Sequence, residues 1–172
     1  MRINKFGFRS VVLMIGAAGA LGFAGLGAGH ADAGTNCVAV NGQQVQKVVG
    51  QGGCGAKAGA GSRASADETS GQGVAVAVAD RGGNATARNL QPGSSALAGA
   101  NSGGTAYSVT TGAKALSVAQ ARRGGVSASI GGWGGQAISG PQGVQCTGGF
   151  ATAIDTTTGK ACLHSGSIDL RN

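Results

Sequence analysis

Eight triplets in which two small residues flank a variable one run through the middle of the chain: Ala64-Ser65-Ala66, Ala75-Val76-Ala77, Ala85-Thr86-Ala87, Ala96-Leu97-Ala98, Ala106-Tyr107-Ser108, Ser117-Val118-Ala119, Ser127-Ala128-Ser129 and Ala137-Ile138-Ser139. They start 11, 10, 11, 10, 11, 10 and 10 residues apart, so every second triplet returns after about 21 residues. A fixed period of this size marks stacked supersecondary units. The small-variable-small alternation has the period of a strand, which puts the outer two residues on one face and the middle one on the other. The pattern predicts an all-β, short-coil β-solenoid or β-roll with two strands per coil, in half-repeats of 10–11 residues, capped by disulfide-closed hairpins.

The uniformly small positions are expected inside a thin, flattened coil, with the middle residues outward. One sheet then presents Val76, Leu97, Val118 and Ile138, and the other Ser65, Thr86, Tyr107 and Ala128. The pattern alone leaves the reverse open, with Val, Leu and Ile forming the core. Between triplets the chain is rich in turn residues, as at Arg81-Gly82-Gly83-Asn84, Asn101-Ser102-Gly103-Gly104 and Arg122-Arg123-Gly124-Gly125. Glycine supplies the positive φ that such corners require. A Gly-rich, polar composition by itself argues for disorder, but the regular period and the scarcity of proline, only Pro92 and Pro141, argue for stacked strands over residues 54–140.

The N-terminus changes the picture of the compartment. Arg2, Lys5 and Arg9 precede an apolar run from Val11 to about Ala28, and Ala31-Asp32-Ala33 supplies small residues where a signal peptidase reads. The run is long enough to approach a membrane span, yet its Gly and Ala content and small-residue exit fit a cleaved signal peptide (residues 1–33) better than a retained anchor. The expected divisions after it are an N-terminal cap (34–55), the repeat body (56–140) and a C-terminal cap (141–172). Localisation is expected to be secreted or cell envelope, with membrane contact only through the uncleaved leader.

Only Tyr107, Trp133 and Phe150 remain as aromatic residues after the leader, so a conventional core of large side chains is excluded. The formal charge of +7 falls to +5 without the leader. The basic residues are scattered, only Arg122 and Arg123 are adjacent, and no aromatic residue interleaves with them. A basic stripe with stacking platforms is therefore missing and no nucleic-acid partner is expected.

Four cysteines follow the leader: Cys37, Cys54, Cys146 and Cys162. An even count in an exported chain implies two disulfides in one of three pairings. A stack of about four coils at ~4.8 Å holds its ends ~20 Å apart, beyond the ~7 Å reach of a disulfide, which selects Cys37 with Cys54 and Cys146 with Cys162. The long gaps between cysteines lack the close pairs of a zinc ribbon, and no metal or other cofactor is expected. In the N-terminal cap, Asn41-Gly42 between Cys37–Val40 and Val45–Val49 reads as a hairpin. In the C-terminal cap, Phe150–Ile154 and Lys160–Leu163 flank Asp155-Thr156-Thr157-Thr158-Gly159 as a second one.

Catalytic patterns are sparse. His164 is the one histidine after the leader and has no nucleophile and orienting acid in a recognisable frame beside it. Asp67-Glu68 is the one local acid pair, read as lying at a turn, and nothing builds a cleft around it. Gly50-Gln51-Gly52-Gly53-Cys54-Gly55 matches G-x-G-x-x-G, but it lacks the strand-to-helix context of a dinucleotide site. No catalytic or cofactor-binding residue is assigned, and the chain is expected not to be an enzyme.

The stretch from Cys146 to Leu163, with Cys, an Ala-rich strand, a Thr-Gly turn and Ala161-Cys162-Leu163, resembles the C-terminal segment of a family of small secreted actinobacterial proteins of unknown function, which have a Gly/Ala-rich body and two Cys pairs. The resemblance implies a compartment and no activity. The short coils are also similar to the head repeats of trimeric surface adhesins, an analogy of fold that does not establish function. The expected role is a secreted, nonenzymatic structural or interaction protein of the bacterial envelope or exterior. Its interaction face would be Val76, Leu97, Val118 and Ile138, and its partner a second copy or an envelope protein or polymer. Surface adhesion, ice or crystal binding, and a small hydrolase built near His164 are the alternatives.

Export carries its own check: intact-mass analysis of the secreted protein should find a chain beginning at Gly34 or within a few residues of it. Full-length protein held in the membrane fraction would contradict the cleaved leader.

Overall fold

The computed structural model describes residues 34–172; the expected leader at 1–33 lies outside them. Fifteen strands form two sheets. The eight-stranded sheet runs in the order β1 (Thr35–Val40), β4 (Arg63–Glu68), β6 (Asn84–Asn89), β8 (Thr105–Thr110), β10 (Val126–Gly132), β13 (Phe150–Asp155), β14 (Lys160–Ser165), β15 (Ile168–Arg171). The seven-stranded sheet runs β12 (Gly143–Thr147), β11 (Gln136–Gly140), β9 (Leu116–Arg122), β7 (Ser95–Asn101), β5 (Val74–Asp80), β3 (Gly52–Ala58), β2 (Gln44–Val49). From β3 to β11 the chain alternates between the sheets and every pairing within a sheet is parallel, as a solenoid requires.

The register reproduces the sequence period. Ala64 pairs Ala85, Ala85 pairs Ala106 and Ala106 pairs Ser127 in one sheet, while Ala75 pairs Ala96 and Ala96 pairs Ser117 in the other. The last step, Ser117 to Ala137, is one residue shorter because the tight corner Trp133-Gly134 replaces the longer linkers at 69–73, 90–94 and 111–115.

The small positions are inside. Ala64, Ala66, Ala75, Ala77, Ala87, Ala96, Ala106, Ala119 and Ala137 have no exposed surface, whereas Val76, Leu97, Val118 and Ile138 lie half-buried on the outer face. The faces are not reversed. Stacked sheets ordinarily pack ~10 Å apart, with larger side chains between them. Here the Ser108 hydroxyl crosses from the eight-stranded sheet to the carbonyl of Ser117 in the other at 2.7 Å, a separation that one hydroxymethyl group spans.

Serine replaces alanine toward the C-terminal coils, and each hydroxyl finds a partner. Ser108 and Ser117 Oγ are 2.9 Å apart, Ser117 and Ser129 2.7 Å, and Ser127 and Ser139 2.8 Å. An unpaired hydroxyl in this setting would cost the desolvation of that group, so serine is tolerated only where another serine or a carbonyl faces it.

Corners between the sheets repeat a two-residue turn with positive φ at both positions: Arg81-Gly82 (49° and 77°), Ser102-Gly103 (53° and 75°), Arg123-Gly124 (53° and 75°) and Trp133-Gly134 (45° and 72°). The glycine after each turn is held by space rather than by φ. A Cβ at Gly83 would sit 2.7 Å from the Ala100 carbonyl oxygen, and one at Gly104 2.8 Å from the Ala121 backbone. Asn41-Gly42 has the same geometry (48° and 81°) and is likewise a corner.

That corrects the N-terminal hairpin: β1 pairs antiparallel with β4 and β2 with β3, so the strands flanking Asn41-Gly42 lie in opposite sheets. A solenoid corner and a hairpin use the same positive-φ turn, and tertiary pairing decides between them. The cap is a coil run in reverse, made possible by a true hairpin between β2 and β3 that local sequence did not reveal. The C-terminal end mirrors it, with β11 and β12 forming the reversing hairpin and β13 lying antiparallel on β10. The expected hairpin of β13 and β14 is present.

Both expected disulfides form, Cys37–Cys54 and Cys146–Cys162, with Cα atoms 5.8 and 5.9 Å apart. Neither closes a hairpin within a sheet. Cys37 on β1 meets Cys54 on β3, and Cys146 on β12 meets Cys162 on β14, so each bridge ties the two sheets together at one end of the stack.

Where alanine and serine face each other across the two sheets, the interior has no room for larger groups. Ala119→Leu and Ala98→Leu should each destabilise by about 1–3 kcal/mol or more through overpacking, while Leu97→Ala on the outer face should cost less than either. Thermal or denaturant unfolding of the three variants measures the order.

Candidate interaction surface

Parallel, in-register pairing copies an outward residue from coil to coil into a straight column. Val76 pairs Leu97, Leu97 pairs Val118 and Val118 pairs Ile138, so the four expected face residues form one continuous ladder across β5, β7, β9 and β11. Gly55 on β3 and Gln145 on β12 end it. Each side chain is half-buried by its neighbours in the column. A parallel column, Val74-Ser95-Leu116-Gln136, widens the strip on one side, and Val78-Gly99-Gln120 borders it on the other.

The opposite outer face is not uniformly polar. Its N-terminal half carries Ser65, Thr86, Asp67 and Arg88, with Arg88 Nε 3.5 Å from Asp67 Oδ2. Its C-terminal half gathers Tyr107, Ile130, Ile154, Leu163 and Leu170, because β13, β14 and β15 extend the sheet and set Ala128 opposite Ile154, Ile130 opposite Thr152, and Leu163 opposite Leu170. Tyr107, Ile154 and Leu170 are 47%, 48% and 60% exposed. A shallow groove between Ile154, Leu163 and Leu170 follows this surface. Sequence reasoning missed this patch: its members come from five strands spread between Tyr107 and Leu170, and the antiparallel cap brings the last three against the body.

Beside the patch, Trp133 projects from its corner with its ring edge-on to Phe150, centroids 6.2 Å apart. The pair covers the close backbone crossing in which Gly135 and Gly149 pack against Phe150 and Trp133.

The acid pair separates on folding. Asp67 and Glu68 are consecutive in β4 rather than at a turn, and so point to opposite faces. Glu68 is fully buried. Its carboxylate accepts the backbone N–H groups of Ser70 (2.8 Å) and Gly71 (2.9 Å), the Ser70 hydroxyl, and the Asn89 amide (3.3 Å). Asn89, one coil on, also donates to the Ser94 carbonyl (3.2 Å) and accepts from the Thr110 (2.6 Å) and Ser94 hydroxyls. Glu68, Asn89 and Thr110 thus form a polar rail down one interior edge, successive members 21 residues apart and linked side chain to side chain. It satisfies the backbone of the wide corners and presents no group to solvent.

His164 lies on β14 opposite Asp169 on β15, its Nδ1 3.8 Å from Asp169 Oδ2. Asp169 is held bidentately by Arg171, Nε to Oδ1 at 2.7 Å and Nη2 to Oδ2 at 2.6 Å. The hydrogen bond from Arg171 keeps the Asp169 carboxyl below its ordinary pKa, and Asp169 raises that of the guanidinium. Among the described residues no serine or cysteine side chain is hydrogen-bonded to His164, and Cys162, two residues before it, is in its disulfide. Among the described residues no three His, Cys, Asp or Glu side chains converge as metal ligands. Gly50–Gly55 leads into β3 and not into a helix.

Comparison with known proteins finds a match over residues 4–165 to a family described as a family of unknown function, DUF6764. No curated protein and no solved structure matches the chain.

The buried rail has a measurable worth. Asn89→Ala should leave the Glu68, Ser94 and Thr110 groups short of partners and destabilise by about 1–3 kcal/mol, against little change for the outward Thr86→Ala. Denaturant midpoints compare them.

Proposed function

From the premise that the chain belongs to the DUF6764 family, which brings no activity with it, we propose that it is an exported, nonenzymatic structural or interaction protein of the bacterial envelope or exterior. The supporting observation is the unbroken outward ladder Val76-Leu97-Val118-Ile138, carried on a body whose interior is closed by alanine and serine. Contiguous apolar strips on the surface of a soluble domain mark interaction sites. The two buried acids are committed to structure, Glu68 inside the rail and Asp155 in the β13–β14 turn, where it accepts the Thr158 N–H at 2.8 Å.

Ice or crystal binding gains no support from the surface. The column through Thr86 reads Ser65-Thr86-Tyr107-Ala128, without the repeated hydroxyl such a lattice match needs. The partner we assign to the ladder is an envelope protein or polymer with an apolar strip of its own.

Leu97→Asp sets a charge in the middle of the strip, where a docked partner would bury it unpaired; Thr86→Asp sets the same charge on the other sheet. With both variants folded, recovery of envelope components on immobilised protein should fall for Leu97→Asp and stay at the parental level for Thr86→Asp. Equal recovery by both would overturn the assignment of the ladder as the interaction face.

A further inference from the structure

The last strand leaves an edge that is complementary to itself. β15 pairs with β14 on one side and, among the described residues, with no strand on the other, and all four of its residues are exposed. The Asn172 N–H donates to the Ala161 carbonyl at 3.3 Å. In an antiparallel ladder alternate residues turn their main-chain groups to opposite sides. The groups of Ile168 and Leu170 therefore face β14, and the N–H and C=O of Asp169 and Arg171 face outward, free to continue the sheet.

A free edge invites strand addition, and sheet geometry restricts what fits. A second copy meeting β15 about a two-fold axis pairs antiparallel, with opposed residues on the same face. Only registers that oppose odd with odd numbers match the outward groups. Centring the axis on Asp169 opposes two aspartates, and centring it on Arg171 opposes two arginines. Centring it on Leu170 sets Asp169 against Arg171 of the second copy twice over and Leu170 against its equivalent. Asp169 and Arg171 share one face of β15, and Leu170 lies on the other with Leu163, so the charged pairs form on one side of the joined sheet while the apolar patch of Ile154, Leu163 and Leu170 runs on across the axis.

We infer that β15 is a homodimerisation edge, in which two copies join their eight-stranded sheets antiparallel about Leu170 with reciprocal Asp169–Arg171 pairs. The far end of the stack has two edges, β1 in the eight-stranded sheet and β2 in the other. Its edge strand β2 carries Lys47 on the side facing the interior, opposite Cys54, and an inward lysine on an edge discourages strand addition. The inference is independent of the ladder on the seven-stranded sheet. A four-residue ladder is small beside the ~1,200–2,000 Å² that stable interfaces bury, so the dimer is concentration-dependent.

Sedimentation of the protein between about 10 µM and about 1 mM should show a monomer–dimer equilibrium. Arg171→Asp and Asp169→Arg each place like charges opposite one another and should each weaken the dimer about tenfold or more. An equimolar mixture of the two variants restores opposite charges across the axis and should form a one-to-one heterodimer, resolved by native mass spectrometry, at concentrations where either variant alone is monomeric. Rescue in the mixture also excludes local unfolding of β15 as the cause of the loss. A parent that stays monomeric throughout, variants that dimerise as the parent does, or a mixture no tighter than its components would each overturn the inference.

Discussion

Everything in this molecule follows from how closely its two sheets approach. A gap that a single serine hydroxyl crosses, from Ser108 to the Ser117 carbonyl at 2.7 Å, is filled across the middle of the sheets by alanine, serine and the half-cystines, and larger polar side chains are buried along one edge, at Glu68, Asn89 and Thr110, and in the C-terminal cap, at Asp155. Burial of large side chains, the usual source of hydrophobic stabilisation, is absent from the interior. The stack relies instead on many small, fully excluded methyl groups and on backbone hydrogen bonds that run from coil to coil. Within the repeat body the buried serines and the Glu68-Asn89-Thr110 rail carry their partners with them.

The same closeness sets the demands at the corners and ends. Crossing between sheets within two residues needs positive φ at both, and the glycine that follows must fit against the backbone of the neighbouring coil. At each end a hairpin reverses the chain, β2 with β3 and β11 with β12, so the terminal coil runs against the stack. A disulfide then fastens one sheet to the other where the methyl layer ends. In the chain-entropy view, loops of this size contribute ~3 kcal/mol each, a substantial share for a body without a conventional core.

With the interior occupied by structure alone, chemical variety is displaced to the surface. Parallel register turns each outward position into a column, so a few substitutions per coil create an aliphatic strip on one sheet and a face that changes from charged to apolar on the other. Such a surface suits broad contact with another molecule. A deep pocket would require the sheets to part, and the small side chains do not permit it.

The period of 21, the separation of small and variable positions onto opposite faces, the glycine corners and the pairing of the cysteines were legible in sequence, because all depend on local alternation or on the separation of the two ends; the pattern leaves open which face lies inside, and the burial of the alanines decides it. The ladder of Val76, Leu97, Val118 and Ile138 was legible for the same reason: in-register stacking follows from the period. Asn41-Gly42 was not, since a corner and a hairpin share one backbone conformation and only the pairing of β1 with β4 tells them apart. Nor did local pattern show the apolar half of the eight-stranded sheet, the full burial of Glu68 beside a half-buried Asp67, or the outward edge of β15. These depend on which distant strand lies alongside, and long-range pairing is a property of the assembled sheets that short-range alternation does not encode.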